Sequence, residues 1–439
     1  MDLTFPVLLA DLAACLWLGY LAARALVEIA SRRPRTIYFP LITLFLFFGV
    51  PLALDVAAGL PDYSLLFPGI DAAMRDRPTS LLYCVTISTA GAILWFGRPR
   101  HPPAWLQRTG FTQLQLRWYV RAAAWAALLL PFIAVVASPE PRLYLSYAAI
   151  ILDETTGALA TSHGLVSTAT MASLAGYCIL MLSARRLLFS FSAMLPFLFG
   201  SAWVNGKRYF IAYLLAATVY VLWRRGVASG RRLALIMLLF AASQAIFSQV
   251  YQSAVRNVSG ATSSASEIYL GARADYGRDH VVKLALFSEL HPERPPVLEY
   301  RGQSVLFTLT MYVPREMWPE KPLPYAQYVT SAAFETAPQM WGWGLTTSII
   351  DEAINNFGLL GIVLGPLVLV VICRLGDGAT SQFAGMFTGP IACALLVVEV
   401  PAFGALFVTW VAAIAWEHRP GRRHERPGID GRLGFGHDQ

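Results

Sequence analysis

Apolar runs close to 20 residues long recur from Phe5 to Trp416, and no other feature limits the possible folds as strongly. A helix of that length matches the hydrocarbon thickness of a bilayer. In lipid, every backbone N–H and C=O must be satisfied inside the segment or around a closed barrel. The runs are continuous rather than alternating, which reads as helices and not as barrel strands. Charged residues are 14% of the 439 positions, against about 25% in soluble domains. The expected fold class is an all-α polytopic membrane protein, with about 11 transmembrane helices and one large, partly helical extracytoplasmic loop.

The spans are read over Phe5–Ala30, Ile37–Gly59, Thr79–Phe96, Trp118–Ala137, Gly164–Ser183, Leu187–Val204, Tyr209–Trp223, Leu233–Val250 and Asp351–Cys373. The stretch Phe383–Trp416 is too long for one span and carries Pro401 and Gly404 near its middle, so it reads as a hairpin of two short spans. Leu143–Leu152 is too short to cross and reads as re-entrant or interfacial. The first run is too long for a signal peptide and lacks a basic start, so it counts as a span. Arginine clusters follow alternate spans, which places the N-terminus outside and the C-terminus in the cytoplasm. The chain then divides into a bundle over 1–250, an extracytoplasmic loop over 251–345, a C-terminal span and hairpin over 346–416, and a basic tail over 417–439.

The net charge of +7 is explained by topology and calls for no nucleic acid; the bilayer is the expected partner. All five cysteines lie inside apolar runs, and no Cys/His spacing suggests a disulfide framework, a metal or a cofactor.

Some charges are not explained by topology. Lys207 and Arg208 fall on the outer side between two short spans, with no acid beside them. Beside Gly206 and near a helix start they suit an anion such as phosphate; alternatively they snorkel to headgroups. Glu267–Leu290 reads as one helix along the membrane surface, with Asp279 and Lys283 spaced i,i+4. Its Arg273, Asp275, Arg278, Asp279 and His280 line a polar groove or form a solvated face. Pro314, Pro319, Pro322 and Pro324 stiffen the next segment and hold Arg315 and Lys321. Trp318, Trp341 and Trp343 offer flat faces that stack on sugars or belong to an interfacial belt. Asp351 and Glu352 open the following span, and Glu352 shares a helix face with Asn355 and Asn356. That polar face runs to a depth where polarity is expensive, so Glu352 is a general base, a binding group or a helix-start charge. Gly358, Gly361 and Gly365 permit close helix packing.

The pattern Pro314-Arg315-Glu316-Met317-Trp318-Pro319-Glu320-Lys321-Pro322, followed by Gly344, Ser348, Glu352, Asn356, Phe357, Gly358 and Gly361, resembles the oligosaccharide repeat-unit polymerases of Wzy type. Gly206-Lys207-Arg208 resembles a short basic motif of that family. The resemblance implies a metal-independent, membrane-embedded glycosyltransferase of the GT-C group. Its substrates are undecaprenyl-diphosphate-linked oligosaccharides on the outer face of the bacterial inner membrane, and its product is O-antigen, capsule or exopolysaccharide. A chain-length regulator is an expected protein partner. On this reading Lys207, Arg208, Arg256, Arg278, Arg301, Arg315 and Lys321 are candidates to hold diphosphate or glycan, with Arg315 closest to the chemistry. Trp318, Trp343 and Asn356 hold sugar, and Glu352, with Asp351 in reserve, receives the acceptor proton.

Three other classes compete. An O-antigen ligase uses the same donor, but a clear His–Arg pair is lacking outside. A transporter of lipid-linked sugars predicts internal repeats and several charges inside spans, but no repeat stands out and the mid-run charges are few, Asp11, Asp55 and Glu399. An acyltransferase wants a His deep in a span, and the spans contain none.

Overall fold

The computed structural model describes residues 5–31, 35–99, 117–145, 157–206, 208–240, 242–243, 265–313, 315, 317–340, 344–379 and 382–417. In chain order the helices are α1 (Phe5–Ala30), α2 (Tyr38–Ala58), α3 (Pro68–Arg75), α4 (Arg77–Phe96), α5 (Trp118–Val136), α6 (Gly157–Ser183), α7 (Leu187–Asn205), α8 (Arg208–Arg224) and α9 (231–240). They continue as α10 (Ala265–Tyr276), α11 (Asp279–Leu290), α12 (Gln303–Thr310), α13 (Tyr325–Phe334), α14 (Ile349–Phe357), α15 (Gly361–Gly378), α16 (Gln382–Ala394) and α17 (Gly404–Glu417). No strand occurs among the described residues. Among the described residues, eight helical stretches are long and apolar enough to cross a membrane, as in a multi-pass membrane protein. That is fewer than the expected 11 or so, because Phe210–Trp223 and Ala384–Ala394 are shorter apolar helices. The expected span Leu233–Val250 is seen only through α9, and its last residues lie outside the described ones. The Leu143–Leu152 segment begins as a 3₁₀ turn at Pro141–Leu145, and the remainder lies outside the described residues.

On α1, Leu18, Leu21, Ala25 and Ile29 are buried at helical spacing, while Leu9, Leu16 and Val27 are exposed. Exposed apolar residues on such a helix suit lipid. Two ends of the bundle can be told apart. One carries Arg98, Arg225 and Arg374; the other carries Gly59, α3 and residues 291–300 and is called the loop end below.

The segment expected as an extracytoplasmic loop folds back into the bundle. α10 runs antiparallel to the loop-end half of α2: the Tyr269 hydroxyl donates to the Gly59 carbonyl, and Arg273 pairs with Asp55 at 2.7 Å. At the bottom of this descent the Arg278 N–H donates to the Phe47 carbonyl at 2.9 Å. Phe47 lies nine residues along α2, about 13 Å from its start. Its carbonyl lacks a normal helical donor because residue 51 is Pro, and a π-helical turn at Phe45–Gly49 loosens the ladder there. The inserted chain supplies the missing N–H.

The structure departs from the sequence expectation in three places. The single surface helix Glu267–Leu290 is two helices broken at Gly277–Arg278, with Asp279 through Phe287 all buried. Gly277 is required because a Cβ there would meet Asp279 Oδ1 and the Arg273 guanidinium. Asp279 does not pair with Lys283: it takes two bonds from Arg273 at 2.9 and 2.8 Å, and the Lys283 ammonium lies 5.2 Å from the Tyr83 ring centre. The span read as Asp351–Cys373 reverses direction at Gly358–Leu360. A Cβ on Gly361 would collide with the Ala353 backbone, and one on Gly365 would lie 2.9 Å from the Ile349 carbonyl. α14 and α15 are therefore an antiparallel hairpin, and the glycines provide the close approach. Gly358 makes the turn with φ 64°.

The expected break near Pro401 is present: α16 and α17 are joined by residues 395–399 and a 3₁₀ turn at Val400–Phe403. This joint meets the other inserted pieces. The Leu395 carbonyl accepts from Ile349 N–H at 2.6 Å, the Val397 carbonyl from Arg278 Nε at 3.1 Å, and Glu399 Oε2 from Ala326 N–H at 3.1 Å. Non-helical backbone at this depth is tolerated because protein covers it and supplies its hydrogen bonds.

Candidate functional site

Helix α14 organises the polar interior. Its start is a capping box: Ser348 accepts from Ile350 N–H at 3.2 Å and Asp351 N–H at 3.4 Å, and Asp351 Oδ1 accepts from Ser348 N–H at 2.7 Å. At its other end Arg301 donates to the Ile354 and Asn355 carbonyls at 3.3 and 2.8 Å. A cation on the last carbonyls complements the helix dipole. Glu289 holds that guanidinium with two bonds at 2.6 and 2.8 Å, and its hydrogen bond raises the Arg301 pKa.

Two polar faces leave α14. On one, Asn355 donates to the Tyr325 hydroxyl at 2.6 Å. On the other, Ser304 of α12 donates to Glu352 Oε1 at 2.7 Å, and Asn356 Nδ2 donates to Ser304 Oγ and to the Glu352 carbonyl, both at 2.7 Å. Glu352 is 9% exposed, and Glu399 of the α16–α17 joint is an electrostatic neighbour. A buried carboxylate with one oxygen tied and amides beside it can accept a proton from a hydroxyl.

The predicted cations have mixed fates. Arg315 is exposed and closes its own loop, donating to the Lys321 and Pro322 carbonyls at 2.9 and 3.0 Å. Lys321 is buried and donates to the Met311 and Val313 carbonyls at 2.8 and 3.0 Å. Burial, with Arg315 nearby, lowers its ammonium pKa. Arg278 is buried at the Val397 joint and packs on the Phe47 ring. Arg301 caps α14 and Asp351 caps its start, so the structure gives both a scaffolding duty. Trp318 is half-buried. Lys207, Arg256, Trp341 and Trp343 lie outside the described residues, as does the side chain of Arg208. Among the described residues no group of three or more His, Cys, Asp or Glu is placed to hold a metal.

Sequence reasoning missed Ser304 and Glu399 as parts of this site, and the buried Asp55–Arg273–Asp279 triad beside α11. Asp55 and Glu399 were visible as carboxylates inside apolar runs, which is the signal for a buried polar role. Ser304 carried no signal, since a serine in an ordinary apolar stretch looks like any other.

The α11 cluster has a consequence for pH. Burial alone would raise Asp279, but Arg273 outweighs it and holds the carboxyl well below its usual range. Burial pushes the His280 imidazole down to about 3, against opposing attraction from Asp279 and with Arg278, Arg273 and Lys283 adding to the shift. The folded chain therefore keeps His280 neutral, while an unfolded chain protonates it below about 6.5. Stability is lost as pH falls from about 6.5 toward 3. The melting temperature of the purified protein is expected to drop between about pH 7 and pH 5, and less steeply in His280→Gln. Equal slopes in a scanning-fluorimetry series would contradict this account.

Compared with known proteins, the chain matches no family model, no curated protein and no solved structure.

Proposed function

We propose that this chain is a membrane glycosyltransferase that joins polyprenyl-diphosphate-linked oligosaccharide repeat units into a polysaccharide, with its loop end on the outer face of a bacterial inner membrane. The observation that carries the reading is Glu352, buried on a re-entrant helix with Oε1 held by Ser304 and Asn356 alongside. Glu352 removes the proton from an acceptor sugar hydroxyl as that oxygen attacks the anomeric carbon of the donor. The bond from that carbon to the diphosphate breaks, and the diphosphate leaves with the electron pair. Arg315, exposed on its loop, meets that charge. Only two of its five N–H donors are engaged in the hydrogen bonds to Lys321 and Pro322. Its loop follows directly from α12, the helix that supplies Ser304. No metal enters this scheme.

A second reading, transport of lipid-linked sugars, is favoured by one observation: broken helices and buried charges meet partway along the bundle. Purified chain in liposomes with undecaprenyl-diphosphate-linked oligosaccharide separates the two. A polymerase yields a ladder of longer glycans and releases undecaprenyl diphosphate. Movement of substrate between leaflets with no longer glycan would overturn the polymerase reading.

A further inference from the structure

Building on the reading of Glu352 as the proton acceptor, we infer that Ser304 is a positioning residue for that carboxylate, and that Asn356 sets its orientation. The donors along one short relay fix the assignment. Asn356 Nδ2 contacts two oxygens, Ser304 Oγ and the Glu352 carbonyl. A carbonyl only accepts, so the amide nitrogen is what must face it, and the Asn356 side chain cannot be turned over. Ser304 Oγ therefore accepts from Asn356, and its one proton is left to point at Glu352 Oε1, 2.7 Å away. All three side chains are buried. Oε1 is thus committed to Ser304, and Oε2 is the oxygen that meets the substrate hydroxyl. The relay crosses from α14 to α12, two elements 48 residues apart in sequence at the Ser304–Glu352 bond. It makes the aim of the carboxylate depend on the helix that leads into the Arg315 loop, so seating of a substrate against that loop is communicated to the carboxylate.

The test uses the full-length protein in nanodiscs with undecaprenyl-diphosphate-linked oligosaccharide. Ser304→Ala is expected to lower kcat about 10- to 100-fold with KM little changed, the size of a misaimed catalytic group. Ser304→Thr, which keeps the hydroxyl, is expected to restore kcat to within about threefold. In infrared difference spectra the carboxylate band that is missing from Glu352→Gln is expected to shift in Ser304→Ala and not in Ser304→Thr. An inactive Glu352→Gln together with wild-type kcat in Ser304→Ala overturns this inference alone. Wild-type activity in Glu352→Gln overturns the base reading and this inference with it. The infrared band requires no turnover, so an unshifted band in Ser304→Ala overturns the relay even in a preparation that makes no polymer.

Discussion

Glu352→Gln is expected to abolish chain extension while leaving the protein in the membrane at its normal level. The substitution keeps the shape of the side chain and an oxygen that can accept from Ser304, so the fold around α14 has no reason to change. What disappears is a group that takes a proton. Removing a general base costs about 10²- to 10⁴-fold in rate. The glycan ladder of cells relying on this variant should collapse to single repeats, with an immunoblot of the membrane fraction showing unchanged protein. A normal ladder would remove Glu352 from the chemistry. Asp351→Asn is a poorer test of the same idea: Asp351 accepts from the Ser348 backbone and closes the capping box, so its loss confounds folding with chemistry.

The second large effect concerns stability. Arg273 is 2% exposed and holds two carboxylates, Asp55 and Asp279, that are completely buried. Arg273→Ala strands both. Breaking a buried ion pair by removing one partner costs about 3–5 kcal/mol, mostly from the charge left without compensation. Because Arg273 holds Asp279 below its ordinary range, the Arg273–Asp279 part of this contribution is complete at neutral pH. It fades only as pH falls below the unfolded carboxylate value of about 3.9. The variant is expected to melt well below wild type in detergent and to be recovered in lower yield. Adding Asp55→Asn to it should restore part of the loss, since one stranded charge is then gone. An unchanged melting temperature in Arg273→Ala would mean that α10 and α11 are not anchored in the bundle by this pair.

Much of the architecture was legible in the residues. The apolar run Phe5–Ala30 marks the first helix at both ends. The break near Pro401 and the close packing at Gly361 and Gly365 were also legible, because proline and glycine act on the backbone locally. At the site, the face that Glu352 shares with Asn356 followed from helical spacing, whereas Asn355, expected on the same face, turns to the Tyr325 hydroxyl instead. The cations were harder to place. Arg301 and Lys321 look like free positive charge in a sequence, yet one caps a helix and the other ties a loop to itself. Nothing local distinguishes an arginine that waits for a ligand from one already satisfied by carbonyls.

The sequence by itself determined that this chain is a bundle of apolar helices, since the length and continuity of its runs leave the backbone no other way to satisfy its polar groups in lipid. Only the tertiary structure decided that the segment after residue 264 turns inward, that the run from Ile349 to Gly378 is a hairpin, and which charges meet. An apolar run reads the same whether it crosses or doubles back, as Gly358 and the Ala353–Gly361 contact show. The partners of the buried charges lie far apart in the chain, 218 residues in the case of Asp55 and Arg273. A charge in lipid must find a counter-charge, but its choice is made by which helices pack together, and no local pattern carries that information.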